Sequence, residues 1–212
     1  MNVKSFTFNP FQENTYIVYD KTKECLIIDP GCYTDAERKE LQAFIEEKEL
    51  TPVKLINTHC HIDHVLGNKF ASEKWDIQLY IHKEDLPVLE KVESIGKMYG
   101  LENYESSPYP KHFLTQGDTL TFGESSFDIL FTPGHAPGHI CLYSKENNLL
   151  ISGDVIFQRS IGRTDLPGGD HSTLINSIIT KLFPLPNETQ IFCGHGPSTN
   201  LGYEKEHNPF LQ

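Results

Sequence analysis

The segment His59-Cys60-His61-Ile62-Asp63-His64 places three imidazoles and a carboxylate within six residues. It follows directly on Val53-Lys54-Leu55-Ile56-Asn57-Thr58, which reads as a buried strand. A rigid strand ending in such a cluster is a means of holding metal ions. Imidazole nitrogen and carboxylate oxygen suit zinc and also iron or manganese. No Cys-x-x-Cys pair occurs in the chain, which argues against a purely structural zinc knot. The fold must therefore deliver further donors to the end of this strand.

The chain has 212 residues, enough for one domain with a substantial core, so a single domain over 1–212 is expected. A hydrophobic share of 38% and a charged share of 22% are ordinary for a globular protein. The formal net charge of −11 argues against nucleic acid or an anionic membrane as partner, because both need a basic footprint. The first residues show no basic stretch followed by an apolar core, and no apolar run nears the ~20 residues that span a bilayer. Five cysteines without a pairing pattern fit a reducing compartment. A cytoplasmic location is expected.

Short strands are predicted over 3–8, 15–19 and 25–28, then a turn at Asp29-Pro30-Gly31. A helix is predicted over 36–50, with Leu41, Phe44, Ile45 and Leu50 as its apolar stripe. A short helix over 65–74 and a strand over 77–81 follow, and residues 83–112 are assigned one or two helices and a loop at 106–110. Strands over 127–131, 140–144, 149–152 and 189–193 and a helix over 174–182 complete the pattern. Strands and helices mix in both halves, which predicts two sheets with helices outside.

Four predicted strands end in candidate ligands: the His59, His61, Asp63, His64 cluster, then His135, Asp154 and His195. His135 follows Pro133-Gly134 and His195 lies within Gly194-His195-Gly196, where glycine lets the backbone turn sharply. One ion takes three or four donors, so seven nitrogen and oxygen donors indicate two ions with a shared group.

At this point the chain resembles the metallo-β-lactamase-fold hydrolases, and within them the glyoxalase II (hydroxyacylglutathione hydrolase) branch. The carrying segments are Glu13-Asn14-Thr15-Tyr16, Ile28-Asp29-Pro30-Gly31, the 59–64 cluster, the 132–139 segment, Gly153-Asp154 and Gly194-His195-Gly196-Pro197. The resemblance implies an α/β fold, a four-layer αββα sandwich of two mixed sheets flanked by helices. It implies that His59, His61 and His135 hold a first ion, that Asp63, His64 and His195 hold a second, and that Asp154 bridges them. The cofactor so implied is two divalent metal ions, zinc foremost, with iron or manganese as alternatives. Ser160 to Asp170 and Asn208-Pro209-Phe210-Leu211 resemble the short bacterial type, which lacks the C-terminal helical extension of glyoxalase II. Cys60 stands where the family commonly has histidine, at a position that points away from the metals in the family pattern.

The activity implied is hydrolysis of a small-molecule acyl thioester, S-D-lactoylglutathione or a related 2-hydroxyacyl thioester, by a hydroxide shared between the ions. Asp63 and Asp154 are the catalytic carboxylates on this reading, with Asp63 orienting the nucleophile. Arg159, Arg163 and His171 are candidates for meeting a substrate or bracing the metal loops, with bracing favoured for Arg163. Tyr99, Tyr104 and Tyr109 are candidates for lining a pocket. His82, His112, His139 and His207 read as packing or surface groups, and Cys60 as a buried filler. The competing readings are a mononuclear-iron persulfide dioxygenase of the same fold, a β-lactamase and a phosphodiesterase or nuclease.

Overall fold

The computed structural model describes residues 1–212. Its strands in chain order are β1 (Asn2–Phe8), β2 (Glu13–Tyr19), β3 (Glu24–Ile28), β4 (Thr51–Ile56), β5 (Leu79–Ile81), β6 (His112–Phe113) and β7 (Thr119–Phe122). They continue with β8 (Ser125–Phe131), β9 (Ile140–Ser144), β10 (Leu149–Gly153), β11 (Ile156–Phe157), β12 (Ser160–Ile161), β13 (Gln190–Cys193) and β14 (Thr199–Asn200). The helices are α1 (Asp35–Glu47), α2 (Ile62–Val65), α3 (Asn68–Trp75), α4 (Leu86–Leu89), α5 (Val92–Met98), α6 (His171–Ser177) and α7 (Leu201–His207).

Contacts divide the chain into two compact units. The first comprises Met1–Ile81, Leu86–Phe113 and Thr121–Ser125. Its sheet runs β1-β2-β3-β4-β5-β6. The β1/β2 and β2/β3 pairs are antiparallel, and the pairs from β3 to β6 are parallel. Ile17, Ile27 and Leu55 from the sheet bury against Leu41 and Ile45 of α1 and Val65 beside Leu66. Thr34 and Glu37 form a capping box that starts α1. The second unit comprises His82–Asp85, Leu114–Leu120 and Ser126–Gln212. Its sheet is ordered β14-β13-β10-β9-β8-β7, with the β10/β13 pair parallel and the β13/β14, β9/β10 and β8/β9 pairs antiparallel. Leu150, Ile191, Leu174, Ile178 and Leu201 form its core. No helix is long and apolar enough to cross a membrane.

Several predicted boundaries move. The first helix stops at Glu47 rather than at 50, and its C-cap Lys48 donates its backbone N–H to carbonyls of the last turn. Leu50 still reaches the core of its unit, from outside the helix. The predicted 65–74 helix breaks around Gly67, whose N–H is drawn to the Pro30 carbonyl at 2.7 Å. The helix predicted over 174–182 begins at His171, where Asp170 caps it, and its second part, Ile178–Leu182, winds as a π-helix. Short elements were missed: β6, β7, β11, β12, β14 and α7.

Candidate metal centre

In the first unit, β4 lies between β3 and β5, and its end sets the height at which the histidines emerge. Asp29, just after β3, accepts hydrogen bonds from the Thr58 amide at 2.7 Å and from the Thr58 hydroxyl. That clamp fixes the residue before His59. His61 then stands as the N-cap of α2, and Asp63 and His64 occupy the helix itself. The His59 and His61 rings meet edge to face at 4.8 Å, and the His59 and His64 rings lie 4.1 Å apart. His64 is fully buried, with Nδ1 at 3.1 Å from Asp29 Oδ2. With Nδ1 so engaged, Nε2 is the atom that faces Asp63 Oδ2, at 3.5 Å. The Thr58 hydroxyl lies 3.1 Å from His59 Nδ1. Asn9 Nδ2 donates to both the Gly31 and Asp63 carbonyls, and Asn57 Nδ2 to that of His64. Gly31 is required here, because a Cβ would run into Glu13 Oε2. Burial pushes the carboxyl of Glu13 well above the usual carboxylate range against the pull of His64, and the charges of Asp29 and Asp63 push it further up.

In the second unit, β10 ends at Gly153 and presents Asp154, while β13 ends at Cys193 and leads to His195. The Gly194 amide donates to the Gly153 carbonyl at 2.8 Å, so the two ends leave the sheet together. His135 sits in the turn between β8 and β9, beside Gly134 at φ +130°. Asp154 Oδ2 lies 3.5 Å from His135 Nε2 and also 3.5 Å from His195 Nε2. His135 Nδ1 is held at 2.8 Å by the Arg163 carbonyl.

These donors fit a divalent ion. Ligand atoms bound at about 2.0–2.1 Å in a tetrahedral shell lie about 3.4 Å from each other. The three 3.5 Å nitrogen–oxygen separations match that spacing. The outward ring nitrogens of His64 and His135 are engaged by a carboxylate and a carbonyl, the usual support for a metal-binding imidazole. His59, His64, His135 and Asp154 are buried, whereas His61, Asp63 and His195 are partly exposed and give access. Burial pushes the Cys141 and Cys193 thiols up to about 12.

Arg163 braces His135 through its backbone oxygen, while its guanidinium makes a bidentate pair with Asp165 at 2.8 Å. The Arg159 amide donates to the buried Glu204. His171 opens α6 and is exposed. Cys60 lies in the apolar core of the first unit. Tyr104 bonds to Ser107, and Tyr99 and Tyr109 are exposed. Sequence reasoning missed Asp29 as a supporting group, and it favoured bracing for Arg163 without assigning it to the backbone carbonyl. The signal available for Asp29 was its place before Pro30-Gly31 at the end of a predicted strand.

The sequence profile described as the metallo-beta-lactamase superfamily matches residues 8–195. The chain belongs to that superfamily. It is 40% identical over 212 residues to a probable metallo-hydrolase, YqgX, of Bacillus subtilis, covering 100% of this chain and 98% of the relative. It is 37% identical to the hydroxyacylglutathione hydrolase GloC of Haemophilus influenzae, with the same coverage of 100% and 98%. Among solved structures, the B3 metallo-beta-lactamase BLEG-1 matches with a TM-score of 0.90 at 37% identity, covering 99% of both chains. TTHA1623 in a di-iron-bound form matches with a TM-score of 0.88 at 38% identity, covering 99% of this chain and 100% of that one. The expected fold, two mixed sheets with helices, is that of these neighbours.

Proposed function

We propose that this chain is a dinuclear metal-dependent hydrolase of a small acyl thioester, of the 2-hydroxyacylglutathione kind. His59, His61 and His135 would hold one divalent ion, Asp63, His64 and His195 the other, and Asp154 would serve both. The observation that carries the reading is the approach of one Asp154 oxygen to both His135 and His195 at 3.5 Å. The similarity to GloC over the whole chain supports the substrate class. The di-iron form of TTHA1623 supports a two-ion site, with zinc, iron or manganese as the occupant.

Bound there, the ions supply an acidified water as nucleophile and a Lewis acid for the carbonyl oxygen. The protein's own groups do the rest. Asp63, partly exposed, would accept a hydrogen bond from the attacking water and aim it at the carbonyl carbon. Asp29 and the Arg163 carbonyl hold the His64 and His135 rings in one orientation, so the donors need no rearrangement. A thiol leaving group, with a pKa near ~8.5, departs without a strong general acid.

The test is metal content per chain on fresh protein together with S-D-lactoylglutathione hydrolysis in the same preparation. About two ions with turnover is the expected result. About one iron, no hydrolysis, and oxygen uptake with glutathione persulfide would replace this reading with the dioxygenase. A second reading, β-lactam hydrolysis, takes support from the 37% identity to BLEG-1. Cleavage of a chromogenic cephalosporin faster than of the thioester would favour it.

A further inference from the structure

His139 is outside the proposed ligand set, yet its ring is fully buried and sits directly behind Asp154. The Asp154 backbone N–H donates to His139 Nε2 at 3.0 Å. An imidazole that accepts at Nε2 carries its proton on Nδ1. That Nδ1 lies 3.2 Å from Thr132 Oγ1, which then accepts. The Thr132 hydroxyl then has two acceptors within reach of its own proton, the His139 carbonyl at 3.5 Å and Cys141 Sγ at 3.3 Å. The Cys141 thiol, kept protonated by burial, donates to the Ser152 carbonyl at 3.4 Å. The path leaves the end of β10 at Asp154 and returns to it two residues earlier. The Thr132 amide also donates to the His139 carbonyl at 2.9 Å, which closes the base of the turn that carries His135.

We infer that His139 is a positioning residue: its Nδ1–H tautomer, required by the Asp154 N–H at Nε2 and met by Thr132 at Nδ1, pins the Asp154 backbone and thereby fixes where the shared carboxylate stands. The inference rests on the reading of Asp154 as a metal ligand. A packing role would need only the volume of the ring. Two polar ring atoms in a fully buried place, each matched by a partner, indicate a ring selected for its hydrogen bonds.

The tautomer is read directly by nitrogen NMR of the imidazoles in the wild-type protein, where Nδ1 protonated and Nε2 bare is expected. A protonated Nε2 overturns the inference. The consequence is read by Zn2+ affinity in competition with a chromogenic chelator. His139→Phe keeps the volume and removes the acceptor, and a loss of about 10- to 100-fold is expected. His139→Gln, whose carboxamide oxygen accepts at a similar reach, should stay within about threefold of wild type on the same argument. A folded His139→Phe protein with wild-type affinity overturns the inference. Should that variant not fold, Thr132→Val removes only the hydroxyl. Faster amide exchange at Asp154 with weaker Zn2+ binding is then expected, and no change in either sinks the idea. Asp154→Ala keeps the backbone N–H. Unaltered Zn2+ affinity there would overturn the ligand reading alone, because tautomer and amide exchange are read without any ion.

Discussion

Asp154 Oδ2 faces two imidazoles at once, so deleting this one carboxylate alters both ligand sets. Asp154→Ala should abolish thioester turnover and reduce metal content from about two ions per chain to one or fewer. Its fold, followed by circular dichroism, should persist. Near-wild-type turnover in a metal-verified sample would refute the two-ion mechanism. Asp29 tests the layer behind. It binds both donors of Thr58 and faces His64 Nδ1. Asp29→Asn turns one acceptor into a donor, so either Thr58 or His64 loses its partner and the His64 tautomer is no longer fixed. Zn2+ affinity should fall by about 10- to 100-fold, measured by chelator competition. The proposed donors were legible in the sequence because His and Asp are rare together at the ends of apolar strands. Their supports were not. Asp29 looks like an ordinary turn residue before Pro30-Gly31 and His139 like a packing histidine, and the bracing expected of Arg163 comes from its carbonyl, which carries no side-chain signal.

At the scale of the element, the turn from β8 to β9 depends on Gly134. Its φ of +130° suits only glycine, and a Cβ there would run into the backbone of Leu174 at the buried face of α6. Gly134→Ala should destabilise the protein by about 2–4 kcal/mol and displace His135. Gly100→Ala is the control: its φ of +73° carries the left-handed penalty, but nothing lies within 4 Å. A cost of about 1 kcal/mol is expected there, and equal thermal shifts in the two variants would contradict the steric argument. Asp20, after β2, accepts from the Thr22 amide and hydroxyl, from the Glu124 amide and from the Ser125 hydroxyl. Burial opposes its charge, but these hydrogen bonds outweigh burial and hold its pKa at about 2. The folded value lies below the unfolded value of about 3.9. The stabilisation is therefore full above about pH 4 and is lost as pH falls toward 2. Urea midpoints should separate wild type from Asp20→Asn near neutrality and converge at about pH 2. Elements with several turns, an alternation or a continuous apolar run, such as α1, β8 and β9, were readable. The two-residue strands were not, because hydrogen bonds to neighbours define them and no periodicity does.

At the scale of the whole molecule, mixed strands and helices in both halves announced two sheets, and the similarity of the chain to its solved relatives bears this out. Which strands pair could not be read, because the parallel β10/β13 contact joins segments 35 or more residues apart through α6 and the π-helix. The ends of those strands carry buried donors, and that has a thermodynamic consequence. His59 and His64 in the first unit and His135 and Asp154 in the second are nearly inaccessible, so ions held as proposed would offset the cost of burying these polar groups. Any ion that binds the folded chain and not the unfolded one adds RT ln(1 + [L]/Kd), about 2.7 kcal/mol at a hundredfold excess over Kd. For a chain of this size that corresponds to roughly 5–11 °C in Tm. Exhaustive chelation should therefore lower Tm by about this amount and abolish thioesterase turnover, and Zn2+, Mn2+ or Fe2+ should restore both. In Asp154→Ala the chelator-sensitive part of Tm should shrink toward zero. A Tm indifferent to chelation in the wild type, measured by calorimetry on protein of known metal content, would separate this fold from metal binding altogether.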